Sequence, residues 1–318
     1  MTDSSCEAIT IALLDEADLE QAGTLVRQAF ATFMGVAEPG EFWNDRDYVR
    51  GRFHAPHTAW TKACVGNELV GVACVTRWGS TGIVGPVAVR PDFWDRKVAK
   101  RLMAAAVAQL DAWDVAHGGL FTFPNSPRHL GLYQQFGFWP QTLNAVMTRP
   151  VQHNPLPFDV LRYGQQPERM AALRAECNAL THTIEPGLEV GGELDAVHEQ
   201  QLGATLLLPD AQGQIEGFAV CHFGPHSEAG QGVCYIKFAA VRPSDDSLDG
   251  LRRLIAACEG LAMAERQQTL MAGVNTARRS AYGWMIEAGF RTDILGITMH
   301  RNGRGYDRAD VFLLDDWR

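Results

Sequence analysis

Residues able to handle an anion stand close together in the stretch GPVAVRPDFWDRKVAKRLM, Gly85–Met103. Val87 and Val89 fall on one side of an extended run, and Arg90-Pro91 stops it. Arg96, Lys97, Lys100 and Arg101 follow, around the start of an apolar-striped segment that begins near Val98. This spacing predicts a strand feeding through a basic turn into a helix. The first N–H groups of a helix lack internal partners and its dipole favours negative charge there, so the pattern is that of an anion site. The cysteines point to no second chemistry. Cys6, Cys64, Cys74, Cys177, Cys221, Cys234 and Cys258 are odd in number, scattered and without a CxxC pair. They read as reduced thiols of a cytoplasm, not as a disulfide frame or a metal site.

The elements that must position this turn are legible over a chain of 318 residues, long enough for two ordinary domains. Its 46% apolar and 20% charged residues describe a globular protein with material for a core. A net charge of −9 argues against a general nucleic-acid binder. No run of 18 uncharged apolar residues suggests a membrane span, and the opening MTDSSCEAIT has neither the basic nor the apolar region of a secretory signal. A cytoplasmic protein is expected.

Periodicity and turn residues predict a strand over 8–14, a helix to about Met34 and a shorter helix over 44–53. Strands follow over 58–65 and 69–77, joined across Gly66-Asn67, and over 81–89. A helix is expected from Val98 to Ala116, ended by Gly118-Gly119. A short strand over 120–123, a helix over 127–136 ended by Gly137, and a strand over 141–148 complete the first half. The Pro-rich stretch 150–157 reads as a linker, giving domains over 1–150 and 158–318. The second half then repeats the order. Arg90-Pro91, Arg101-Leu102 and Gly137-Phe138 recur as Arg242-Pro243, Arg253-Leu254 and Gly289-Phe290, each 152 residues later (242 − 90, 253 − 101 and 289 − 137). One offset held from Arg90 to Phe138 is an internal duplication, with a period fitting whole domains.

The element order, the strand ending Val87-Ala88-Val89-Arg90-Pro91 before a basic loop and helix, and the later Leu132-Tyr133-Gln134-Gln135-Phe136-Gly137-Phe138 resemble the GNAT acetyltransferase superfamily. The resemblance covers both halves, as in a tandem GNAT protein, and implies α/β domains, each a mixed, mostly antiparallel sheet flanked by helices. In that family the loop after the fourth strand follows [QR]-x-x-G-x-[GA] and holds the acyl-CoA pyrophosphate on its amides. Here it reads Trp94-Asp95-Arg96-Lys97-Val98-Ala99, and only the last position fits. Lysine keeps the N–H and adds charge where glycine would leave φ unrestricted, so phosphate binding is weakened. The resemblance implies acetyl-CoA as co-substrate without a metal. Backbone groups of Val87 and Val89 would meet the pantetheine, with Arg96, Lys97, Val98, Ala99 and Lys100 at the phosphates and Asn125 near the arm. Tyr133 would reprotonate the departing thiolate. The alternatives are a core tyrosine and, for Asn125, a helix cap.

The second half is the weaker candidate. The same offset carries Tyr133 to Met285, which donates no useful proton, while Tyr282 is out of register. Its loop carries Asp245, Asp246 and Asp249, which either repel phosphates or cap the helix. The implied function is N-acylation of a small-molecule or peptide amine by direct attack on the thioester. The alternative is a non-catalytic CoA- or ligand-binding regulator. Glu38, Glu41, His54, His57 and His129 are available as bases, and none stands out. Phe42, Trp43, Trp60 and Trp78 read as core, or as walls of an apolar acceptor pocket. The final stretch, 311–318, reads as an edge strand ending in charge, and its Trp317 either docks on the other half or stays with its own.

Overall fold

The computed structural model describes residues 8–152, 160–303 and 305–318. The proposed linker therefore lies mostly outside the described residues, as does Cys6. The first half runs β1 (Ile9–Leu13), α1 (Leu19–Met34), α2 (Arg50–Phe53), β2 (Thr58–Val65), β3 (Glu68–Trp78), β4 (Thr81–Val89), α3 (Val98–Ala112), β5 (His117–Thr122), α4 (Pro127–Gln134) and β6 (Trp139–Pro150). The second runs β7 (Leu161–Arg162), α5 (Met170–Ile184), α6 (Gly191–Glu199), β8 (Gly203–Pro209), β9 (Ile215–Gly224), β10 (Gly230–Val241), α7 (Ser247–Ala264), β11 (Thr269–Asn275), α8 (Arg279–Glu287), β12 (Arg291–Arg301) and β13 (Leu313–Asp315). The α/β class and the repeated order are those expected.

Strand alternation sends Val72, Cys74 and Ala88 under α1, while Ala63, Ala73 and Val89 lie under α3 on the opposite face. Helix α1 buries Leu19, Ala22, Leu25, Val26 and Ala29, whereas Phe30 and Phe33 of the same stripe stay only half-buried. In the second half α7 covers one sheet face and α5 with α6 the other.

Two features differ from the sequence expectation. The helix α3 stops at Ala112, and Gly118 and Gly119 belong to β5 instead of ending it. Gly119 is needed there because the Trp317 ring occupies the place of a side chain: a Cβ would stand 2.3 Å from Trp317 Cζ3. The second difference is connectivity. All strands join one sheet, in the order β1-β2-β3-β4-β5-β12-β6-β11-β10-β9-β8-β7, with β13 beside β10. The last sheet strand of each repeat is thus exchanged: β12 pairs with β5, and β6 with β11. The registers obey the 152-residue offset. Gly118 faces Arg301 and Leu270 faces Arg149, while at the centre Asn144 faces its own equivalent, Gly296 (144 + 152). A pseudo-twofold axis therefore passes between β6 and β12.

Beneath this join lies a buried ionic network. Arg52 of α2 grips Glu228 with Nε and Nη2 at 2.9 and 2.8 Å, and Lys237 of β10 reaches Glu228 and Glu193 at 2.7 and 3.0 Å. His57 and the Trp78 indole N–H complete the shell of Glu193. Two cations and two carboxylates balance, and the network ties one half to the other; removing one member of such a set typically costs about 3–5 kcal/mol.

Candidate active site

Strand β4 pairs in parallel with β5 only from Thr81 to Val84. Just beyond, the register against β3 slips: two steps on β3 (Ala73 to Val75) match three on β4 (Val87 to Val84), a bulge at Gly85-Pro86. After the bulge β4 has no neighbour on its β5 side. Arg90 N–H donates to Val70 O towards β3, so alternation turns the backbone groups of Val87 and Val89 into the gap. The Val89 carbonyl is already engaged there, accepting from Trp94 Nε1 at 2.8 Å. This leaves the N–H of Val89 and both groups of Val87 facing the opening.

The basic turn closes one end of that opening. Lys97 takes a left-handed conformation (φ 63°, ψ 15°), the one its glycine counterpart would adopt freely. The first bond of α3 is Arg101 N–H to Lys97 O, so the N–H groups of Val98, Ala99 and Lys100 precede the helical ladder, and no side chain caps them. Lys97 and Lys100 form no ion pair among the described residues. Arg128, in the first turn of α4, bonds Asp95 at 3.0 Å and lies 5.5 Å from the centre of the Trp94 ring, pinning the loop. Arg96 is exposed and stacks over Phe93 at 4.7 Å, away from the opening.

Helix α4 forms because Ser126 caps it, with Pro127 at its first position, and Gly137 ends it at φ 82°. Ser126, not Asn125, accepts the capping bond, from His129 N–H. Asn125 is exposed and away from the cavity wall. The helix carries Tyr133 and His129 on its inner side, their rings 6.4 Å apart. Burial pushes the Tyr133 phenol up to about 12, so it stays protonated at neutral pH. Burial, helped by the adjacent Arg128 charge, holds His129 below the usual imidazole range, so its ring stays neutral. Its Nδ1 is buried without a hydrogen-bond partner, and its ring packs on Phe33 at 4.7 Å.

These groups surround one cavity of about 730 Å³, within the usual range for small-ligand sites. Val87, Val89, Lys97, Val98, Ala99, Lys100 and Tyr133 line it together; Arg96 and Asn125 do not. Of the bases considered, His129 alone lines the cavity. Glu38, Glu41 and His54 are exposed, and His57 belongs to the buried network. Phe42 and Trp43 form walls, whereas Trp60 and Trp78 are core. Sequence reasoning missed Arg46, Tyr48, Phe121, Phe123 and Arg318, which come from three separate segments and share no spacing.

The equivalent place in the second half is filled. The bulge recurs at the expected offset, with Lys237 where the first half has Gly85. Beyond it β13 pairs with Phe238–Ala240 and packs against β11, where a Cβ on Gly273 would stand 2.2 Å from Asp316. The final stretch is therefore an inserted strand, not an edge strand, and Trp317 docks on β5. Asp246 sits at the N-cap of α7 without capping it; Ser244 and Ser247 bond the turn internally, and Asp249 pairs with Arg253 at 3.1 Å. Met285 is fully buried core.

A central sheet whose fourth strand parts from its parallel neighbour over a basic helix start, present twice with one copy plugged, is the GNAT fold in tandem. Residues 25–138 match the model of the Acetyltransferase (GNAT) family. No curated protein matches the chain. Among solved structures, a Pyrococcus horikoshii protein assigned as an acetyltransferase superposes with a TM-score of 0.68 at 12% identity, covering 100% of this chain and 98% of its own. A GCN5-related N-acetyltransferase from Sphaerobacter thermophilus gives 0.57 at 16%, covering 94% and 98%. A tandem GNAT protein from the clavulanic acid biosynthesis pathway gives 0.58 at 14%, covering 93% and 99%. At these identities the likeness is one of fold.

Proposed function

We propose that the first half of the chain is an acyl-CoA-dependent N-acyltransferase, with acetyl-CoA as the donor. The observation that carries this is the opening beside β4. Inward-facing backbone groups of Val87 and Val89 lead from the partnerless N–H groups of Val98–Lys100 to the protonated Tyr133. Diphosphate oxygens suit those N–H groups and the Lys97 and Lys100 ammoniums, and the pantetheine amides suit the exposed edge of β4.

In the reaction, the acceptor amine attacks the thioester carbonyl, forming the C–N bond, and the Val89 N–H stabilises the oxyanion. The C–S bond then breaks. The sulfur takes a proton from the Tyr133 hydroxyl, and the neutral imidazole of His129 takes the proton the amine gives up. The products are an amide and free CoA. The second half, plugged by β13, supplies walls to the site through Ile294, Trp317 and Arg318.

Isothermal titration with acetyl-CoA, followed by a thiol-release assay, tests this. Lys97→Glu is expected to weaken binding by about tenfold or more, and Tyr133→Phe to slow thiol release by about a hundredfold or more while leaving binding intact. Binding without turnover on any amine would favour a regulatory module; absence of binding would remove the proposal.

A further inference from the structure

The signs of charge around the cavity are lopsided. Among the described residues that line it, Asp95 is the one carboxylate, and Arg128 neutralises it beside the basic turn, at the donor end. At the opposite end the charged residues are Arg46 and Arg318. Arg46 makes no ion pair among the described residues. Arg318 bonds Asp316 through Nη2 at 3.0 Å, but its Nε–H is buried and has no acceptor. A guanidinium N–H left without an acceptor away from water costs free energy that an anionic ligand would recover. Between these cations the walls are apolar: Phe30, Phe33, Phe42, Trp43, Phe121 and Phe123. Trp43 is the hub of the aromatic wall, with ring centres of Phe30, Phe42 and Tyr48 all within 5.2 Å.

From this we infer that the acceptor is an amine with an aromatic or branched aliphatic body that also carries a carboxylate, the chemistry of a hydrophobic amino acid. The carboxylate meets the guanidiniums of Arg46 and Arg318, the body lies on the aromatic wall, and the amine faces the thioester between His129 and Tyr133. A polyamine, an aminoglycoside or a lysine-rich peptide is rejected, because its extra ammonium groups would approach two guanidiniums and find no carboxylate. The inference rests on the acyltransferase reading above and deepens it.

The test uses the full chain with acetyl-CoA and a fixed set of amines: L-phenylalanine, L-leucine, their carboxamides, spermidine and a tetralysine peptide. The free acids are expected to release CoA with kcat/KM about tenfold or more above the carboxamides, and spermidine and tetralysine to be inert. Arg46→Gln is expected to raise KM for L-phenylalanine about tenfold, leaving KM for its carboxamide and the Kd of acetyl-CoA unchanged. Arg318→Gln, which keeps a donor near Asp316, should act in the same direction. Equal use of acids and carboxamides, preference for the polycations, or acetyl-CoA binding with no member of the set turned over would each overturn this inference and leave the acyltransferase reading standing. Failure to bind acetyl-CoA would instead overturn the reading on which it rests.

Discussion

Lys97 stands where the family pattern has glycine, yet its backbone is left-handed, at a cost of about 1–2 kcal/mol. The turn has kept the shape that glycine would give and exchanged backbone freedom for a charge beside the helix start. From residue types alone the substitution reads as a weakened loop; the dihedral angle is nonetheless the left-handed one that glycine adopts freely. His129 illustrates the opposite limit. Its burial and free Nδ1 arise from Phe33 of α1 and Tyr133 of its own helix, contacts that no local spacing encodes. Arg128 is the charged neighbour that reinforces its neutrality. Because the imidazole is held below its ordinary range, kcat/KM should stay flat as the pH is lowered to the normal histidine range and fall only beneath it. In His129→Asn that acid limb should vanish together with most of the rate, which a pH–rate profile of both proteins would check.

At the level of elements, the strands, the α1, α3 and α4 helices and the basic turn were legible because each is set by local period, caps and turn residues. The boundary errors have physical causes. Gly118-Gly119 resembles a helix stop, but tertiary packing needs a side-chain-free stretch of β5 where Trp317 arrives from the far end of the chain. The insertion of β13 beside β10 was equally invisible, since so short a strand as Leu313-Leu314-Asp315 fits an edge as well as an interior. Gly119→Val should therefore expel Trp317 from its seat. We expect a loss of about 1–3 kcal/mol in urea unfolding, and a raised KM for the acceptor with binding of acetyl-CoA little changed, because the proposal gives the acceptor the part of the cavity that Trp317 and Arg318 line.

For the whole molecule, the 152-residue repeat was readable but the exchange of β6 and β12 was not, because both strands have the same pattern and either can satisfy either neighbour. The network of Arg52, Glu228, Lys237 and Glu193 is buried and joins the two halves. His222 of β9 lies in the same region, and burial, with the Lys237 charge added, lowers it to about 4 against the partial opposition of Glu228 and Glu193. His117 of β5 is likewise lowered to about 4, by burial and then by His300. Between pH 6.5 and about 4 the unfolded chain binds protons at these sites that the folded chain refuses. Stability should then be complete above pH 6.5 and fall as the pH drops through that window, by up to about 1.4 kcal/mol per pH unit for each imidazole. Urea titrations at several pH values would measure the slope, and His222→Gln should flatten it.

The crossing of β6 and β12 also bears on how the chain is made. As the polypeptide leaves the ribosome, β5 emerges with an open edge, and β6 has nothing of its own half to lie against. β6 gains its first partner only with Thr269–Asn275, and β5 is not covered until the sequence has reached Arg291–Arg301. A nascent first half is thus an incomplete sheet with an adhesive rim for most of its synthesis, a hazard that a pair of self-contained domains on a string would not meet.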